Sequence, residues 1–200
     1  MLCFYDTETT GLPNKKFSLA HTTQPHIMQL GAVFTDERGK TLLEFERFIK
    51  PEGYKASDIA PEALEAHGIT YERVMDTGVP RTNALVDFMD LVNKCGLMVA
   101  HNNSFDLKLL DIASLRTFGD TRQAHRKAKH FCTMQAYYSI LKLPPTPKMR
   151  QYGFGPYKNP SLTEVYQHVF GVPFSGAHDA MADVRAVRDV FFKLPKRPTI

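Results

Sequence analysis

The order of periodicities along this chain restricts its fold more than any other feature. Residues 2–6, 26–35 and 41–49 carry three strand-like apolar runs in succession, and alternation of strand and helix begins only afterwards. Asp36-Glu37-Arg38-Gly39 joins the second run to the third as a four-residue turn with glycine last, which predicts an antiparallel meander. Pro61 then opens a short helical stretch. Arg81–Lys94 sets Leu85, Phe88, Met89 and Val92 at helical spacing, Leu97–Ala100 is a compact apolar strand, and Ser104–Leu115 reads as a helix with Ser104 as N-cap. Near the end, Ser161 and Glu164 form a capping box before a helix that Gly171 closes, and a last helix runs from about Ala180 to Lys193. Antiparallel strands followed by alternation predict an α/β architecture, one mixed sheet flanked by helices. No internal repeat and no linker long enough to divide two domains is visible, so a single domain over 1–200 is expected.

Two hundred residues with 43% hydrophobic content suffice for one domain with a real core, or at most two small ones. No apolar run approaches the length needed to span a bilayer, so no membrane association is expected. Asp6 follows immediately on four apolar or aromatic residues, a pattern unlike a secretory signal, and the expectation is cytoplasmic residence. Cys3, Cys95 and Cys132 are widely spaced and odd in number; they suggest reduced, buried thiols in place of structural zinc or a redox dithiol. The net charge of +4 hides an asymmetry. Between Arg116 and Lys158 nine cations face the single acid Asp120, a net +8, which leaves −4 for the remainder. That basic stretch predicts one helix, Thr133–Leu141, and otherwise mostly loop.

The sequence lacks phosphate-cradling glycine loops, zincin motifs and serine-hydrolase elbows. Its candidate chemistry is acidic. Asp6 and Glu8 lie two apart at the end of the first strand and so project to one side, where their repulsion either raises a pKa or recruits a hard cation such as Mg²⁺ or Mn²⁺. A solvated strand end is the plain alternative. Asp106 falls on the inward face of a helix that leaves the C-terminal end of a buried strand, the place where open α/β sheets put their sites; otherwise it serves only the helix dipole. In Gly176–Asp183, Asp179 suits an N-cap, Asp183 a fixed ligand one turn inside, and His178 either a movable base or a surface histidine.

Taken together, Asp6-Thr7-Glu8-Thr9-Thr10-Gly11-Leu12, then Ala100-His101-Asn102-Asn103-Ser104-Phe105-Asp106, then His178 with four residues before Asp183, resemble in order the three motifs of the DEDDh 3′-to-5′ exonucleases. Members include bacterial proofreading subunits, ribonuclease T and oligoribonuclease. The resemblance implies a ribonuclease H-like fold, a five-stranded mixed sheet with helices on both faces. It also implies that Asp6, Glu8, Asp106 and Asp183 hold two Mg²⁺ ions, for which Mn²⁺ would substitute, with His178 as general base. Such a pair of ions activates water and stabilises the departing 3′ oxygen. By the same resemblance, Thr9, Thr10, Gly11, Leu12, His67, Asn102 and Phe105 line the 3′-terminal nucleotide.

Two segments depart from the family pattern. Pro13–Pro25 is longer than the usual first connection and carries Lys15, Lys16 and His21. The segment at about 142–160 is also long, and it interleaves Lys148, Arg150 and Lys158 with Tyr152, Phe154 and Tyr157. Cations and rings in alternation suit phosphates and bases of a single strand, unless the loop merely tucks its rings onto the core. The expected activity is removal of 5′-mononucleotides from single-stranded or unpaired DNA 3′ ends. RNA trimming, or a nucleic-acid-binding polymerase subunit, are the alternatives.

Overall fold

A computed structural model describes residues 1–198 except Arg122, Ser175 and His178. Three strands open the chain: β1 (Leu2–Thr9), β2 (Ile27–Thr35) and β3 (Thr41–Phe48). Helices α1 (Pro61–His67), α2 (Tyr71–Thr77) and α3 (Arg81–Val92) follow, then β4 (Leu97–Ala100), α4 (Asn103–Phe118), α5 (Ala124–Lys127) and β5 (Lys129–Cys132). The remainder is helical: α6 (Thr133–Leu141), α7 (Pro147–Tyr152), α8 (Leu162–Phe170) and α9 (Ala180–Phe192). The strands form one five-stranded sheet in the order β3-β2-β1-β4-β5. β1 pairs antiparallel with β2 and parallel with β4, which makes the sheet mixed, as the meander followed by alternation predicted.

The pleat of β1 divides the core. Leu2 and Phe4 pack toward α6, α8 and α9, whereas Cys3 and Tyr5 pack toward α3 and α4. Helices therefore cover both faces. The ring of Phe4 meets Phe191 of α9 edge-on at 5.3 Å, and α9 lies across β1 and β2. β4 pairs with β1 as far as Phe4–Val99 and ends one residue later at Ala100, so β1 from Asp6 on has no strand beside it on that edge.

Three expectations need correction. The α4 N-cap is Asn102, not Ser104; Asn102 takes a left-handed backbone (φ 65°, ψ 46°), which asparagine tolerates and which turns β4 sharply into the helix. The basic stretch is not mostly loop. It contains α5, the fifth strand β5 and, after Thr146 caps it, α7. β5 has four residues, Lys-His-Phe-Cys, and its parallel pairing to β4 supplies what its own pattern lacks. Finally, all three cysteines are free, but only Cys3 is buried; Cys95 and Cys132 are half-buried. Among the described residues, no helix is long and apolar enough to cross a membrane.

Candidate active site

The same pleat that sorts the core sorts the acids. Asp6 and Glu8 continue the Leu2–Phe4 face and meet Asp183, one turn into α9; carboxylate oxygens of the three lie within 4.8 Å of one another. Thr7 and Thr9 continue the opposite face. There the Thr7 hydroxyl donates to Asp106 of α4 at 2.8 Å, and Asp106 is buried to 2% exposure. Asp106 is therefore bonded on the other face from the three clustered carboxylates, yet it is near enough for its charge to act on Asp6 and Glu8.

Electrostatics record the crowding. Burial, then the charges of Asp106, Glu8 and Asp183, push the Asp6 carboxyl well above the ordinary range. Burial, then Asp183 and Asp106, raise Glu8 to about 8. Asp106 is raised to about 7, chiefly by burial, against hydrogen bonds from Thr7 and from backbone N–H groups that pull it down. Hard oxygen donors that repel one another at this range suit a divalent cation, which would remove the repulsion. Asp179 caps α9 through the Ala182 N–H at 2.9 Å, as expected of it. His178 lies outside the described residues.

Close approach of α9 depends on a residue that sequence reasoning missed. Gly31 of β2 stands opposite Asp6 in the β1–β2 register. A Cβ there would sit 3.1 Å from the Ala180 Cβ and 3.2 Å from its carbonyl carbon. The hydrogen of Gly31 lets the first turn of α9 lie against the sheet, which brings Asp183 to Asp6. A lone glycine inside an otherwise apolar strand is a sign of close approach and was legible.

Two hollows flank the acids. On the Glu8 side, a cavity of about 330 Å³ is walled by Thr9, Gly11, Leu12, Ala63, His67 and Phe105, among others. Five of the seven expected nucleotide-lining residues meet there. Thr10 is buried beside it and pairs with His26 through backbone and hydroxyl. His67 is held at both ring nitrogens: Nε2–H donates to the Thr9 carbonyl at 3.0 Å, and Nδ1 accepts from the Ile69 N–H at 2.9 Å. Asn102 lies instead in the second hollow, about 540 Å³, with Asp6, Asp183, Lys158 and Ser161. Lys158 is paired there with Glu164, whose carboxylate also accepts from the Ser161 N–H. Lys148 and Arg150 sit exposed on α7, outside both hollows. Tyr152 and Phe154 are about 60% exposed, with ring centroids 6.0 Å apart, so this segment does not tuck them into the core.

The mixed sheet thus gathers three carboxylates, a donor set that suits a divalent cation, at the end of its first strand. The family described as RNase T, exonuclease, matches residues 3–191, and the chain belongs to it, among the DEDDh-type exonucleases, which are phosphodiester hydrolases. Similar solved structures include Escherichia coli exonuclease I in complex with a dT13 oligonucleotide, at 21% identity and TM-score 0.75, which covers 98% of this chain and 41% of that one. Another is the moderately thermophilic exonuclease I of Methylocaldum szegediense, at 22% identity and TM-score 0.69, covering 96% of this chain and 39% of that one. A zinc-bound complex of the E. coli enzyme with single-stranded DNA is similar at 21% identity and TM-score 0.70, over 96% of this chain and 40% of that one. The chain thus spans about two-fifths of the length of the solved proteins it matches.

Proposed function

We propose that this chain is a 3′-to-5′ exonuclease that hydrolyses the terminal phosphodiester of single-stranded or unpaired DNA ends and releases 5′-mononucleotides. The convergence of Asp6, Glu8 and Asp183 within 4.8 Å, beside a cavity of nucleoside size, carries this reading. DNA as substrate is supported by the dT13 and dA16 oligonucleotides held by the similar exonuclease I structures.

Asp6, Glu8 and Asp183, with Asp106 close enough to raise the pKa of two of them, would hold two Mg²⁺ ions, with Mn²⁺ as substitute. Bound there, the ions supply Lewis-acid activation of water and of the phosphodiester. The chain's own residues do the positioning. Thr9, Gly11, Leu12, His67 and Phe105 receive the terminal nucleoside, with Thr10 behind them and Asn102 on the far side of the acids. His178 takes the proton of the attacking water. Lys158 faces the hollow shared with Asp6 and Asp183, and it contacts the strand together with Lys148 and Arg150. All of this lies in one exonuclease domain over 1–200, with about 142–160 as its basic insertion. Cytoplasmic residence and association with a DNA polymerase belong to the same reading.

A 5′-labelled oligonucleotide tests it. With Mg²⁺, products should shorten stepwise from the 3′ end, and EDTA, Asp6→Asn, Asp183→Asn or His178→Ala should each stop the reaction. Faster shortening of a matched RNA would move the substrate to RNA, and internal cuts would refute the exonuclease assignment.

A further inference from the structure

The long connection Pro13–Pro25 takes no part in the site described so far, yet it is built as a rigid object. Its buried Gln24 accepts from the Asn14 N–H at 3.0 Å and shares its amide hydrogens among the carbonyls of Asn14, Phe17 and Ser18 at 2.9, 3.2 and 3.0 Å. Arg116, in the last turn of α4, donates to the carbonyls of Pro25 at 2.7 Å and Gln24 at 2.6 Å, and to that of Thr22 at 3.3 Å. The His21 and Gln24 N–H groups close successive turns on Ser18 and His21, each at 3.1 Å. With these carbonyls bonded by Gln24 and Arg116, Lys15, Lys16 and Phe17 are left exposed.

Phe17 is 45% exposed. One face of its ring lies on the His21 imidazole, with centroids 4.0 Å apart and planes 13° from parallel, and the Thr23 N–H holds that imidazole at Nδ1. An aromatic ring left half in water on a braced loop gains the fold little. It does give a flat face to which another ring can be added. No acid occurs between residues 13 and 25.

The loop also adjoins the nucleotide cavity. Its Thr22–Pro25 end walls a further hollow of about 400 Å³, with Thr10, Gly11 and Asp58 also in the lining. Gly11, Leu12 and Ala60 belong to this hollow and to the one beside Glu8. Leu12, 82% exposed, stands between them.

We propose that the Pro13–Pro25 loop is a second contact for the nucleic-acid strand, in which Phe17 stacks on a base upstream of the terminal nucleotide while Lys15 and Lys16 meet neighbouring phosphates. This rests on the strand-degrading reading above. Every base offers a ring face, so the contact tolerates any sequence. Because Gln24 and Arg116 brace the loop before the strand arrives, little ordering is left to oppose binding.

Anisotropy measurements with dT12 in Ca²⁺ test the contact. Phe17→Ala should weaken dT12 binding about 5- to 150-fold, the range of one base–aromatic stack. It should leave binding of 5′-thymidine monophosphate unchanged, and Phe17→Trp should restore dT12 binding. Abasic substitution scanned upstream along dT12 should find a position where the wild type loses that same factor and Phe17→Ala loses nothing more. Lys15→Ala with Lys16→Ala should reduce the slope of log affinity against log salt by about 1.4, and this pair carries the test if Phe17→Ala fails to fold. Equal dT12 affinity in wild type and Phe17→Ala, or abasic losses that add to it at every position, overturns the proposal. If the wild type still shortens DNA from the 3′ end, only the loop assignment falls; if it neither binds nor shortens DNA, the functional reading falls with it.

Discussion

Glu8→Gln separates what the acidic cluster does for function from what it does to the fold. In the metal-free protein Glu8 is raised from 4.5 to about 8, first by burial and then by Asp183 and Asp106. A carboxyl whose folded pKa lies above its unfolded value holds its proton more tightly when folded, so it takes stability away as pH rises from 4.5 toward 8. At pH 7 the full shift corresponds to about 3 kcal/mol. Glu8 is only part-buried, and screening by water lowers the expected figure to about 1–3 kcal/mol. A neutral amide relieves that repulsion. In EDTA at pH 7–8, Glu8→Gln should therefore melt about 2–10 °C above the wild type, and the two curves should meet near pH 4. Added Mg²⁺ should raise the wild-type midpoint and raise that of Glu8→Gln much less, while activity of the variant is lost. Thermal melts followed by circular dichroism across this range give the answer. A variant that melts below the wild type in EDTA at pH 8, or a difference that does not vary with pH, would refute the argument that these acids are held together against their own repulsion.

Three further outcomes are expected. Gly31→Ala places a Cβ 3.1 Å from that of Ala180; it should cost about 1–3 kcal/mol of stability and, by moving Asp183 from Asp6, about a hundredfold in kcat, as melts and single-turnover rates would show. Asp111 is buried and accepts from His125 Nε2 at 3.0 Å and from the Arg126 guanidinium. Asp111→Asn should destabilise by about 3–5 kcal/mol in urea titrations. Burial pushes the Asp111 carboxyl up, but those hydrogen bonds outweigh it and hold it below the usual range, so the contribution is present at neutral pH and fades as pH falls below about 4. His67→Ala removes two hydrogen bonds that frame the cavity beside Glu8, and if that cavity takes the terminal nucleotide as proposed, steady-state assays should find KM raised about 2- to 10-fold with a smaller change in kcat.

The sheet was legible where its elements carry their own pattern. β1 to β4, α3, α8 and α9 announce themselves by periodicity and caps, and the Ser161–Glu164 capping box forms as read. Asp6 and Glu8 could be placed on one side because a strand's period of two leaves no choice. β5 was hidden: four residues in a cationic stretch become a strand only because β4 offers a free edge. The Ser104 expectation failed for a related reason. Ser104 is a good cap by type, but β4 must turn sharply into α4, and Asn102 can adopt the left-handed backbone that this requires. Lys148, Arg150 and Lys158 look equivalent in the sequence, yet only Lys158 lines a hollow shared with Asp6 and Asp183, where it pairs with Glu164; the other two are exposed on α7.

Parity along β1 also explains why the four acids are not equivalent. Asp6 and Glu8 belong to the face covered by α9, and Thr7 to the face covered by α4, so three carboxylates gather on one side while Asp106, on α4, bonds to Thr7 on the other. β4 ends at Ala100, one residue past its last pair with β1 at Phe4, and leaves the end of β1 unpaired on that edge. Lengthening β4 would seal that gap, and a side chain at Gly31 would lift α9 from the other face. The side chain missing at Gly31 thus lets α9 bring Asp183 to Asp6 against the repulsion of their like charges. The Thr7 hydroxyl holds Asp106 in this position at 2.8 Å, and its hydrogen bond opposes the rise in that carboxyl's pKa.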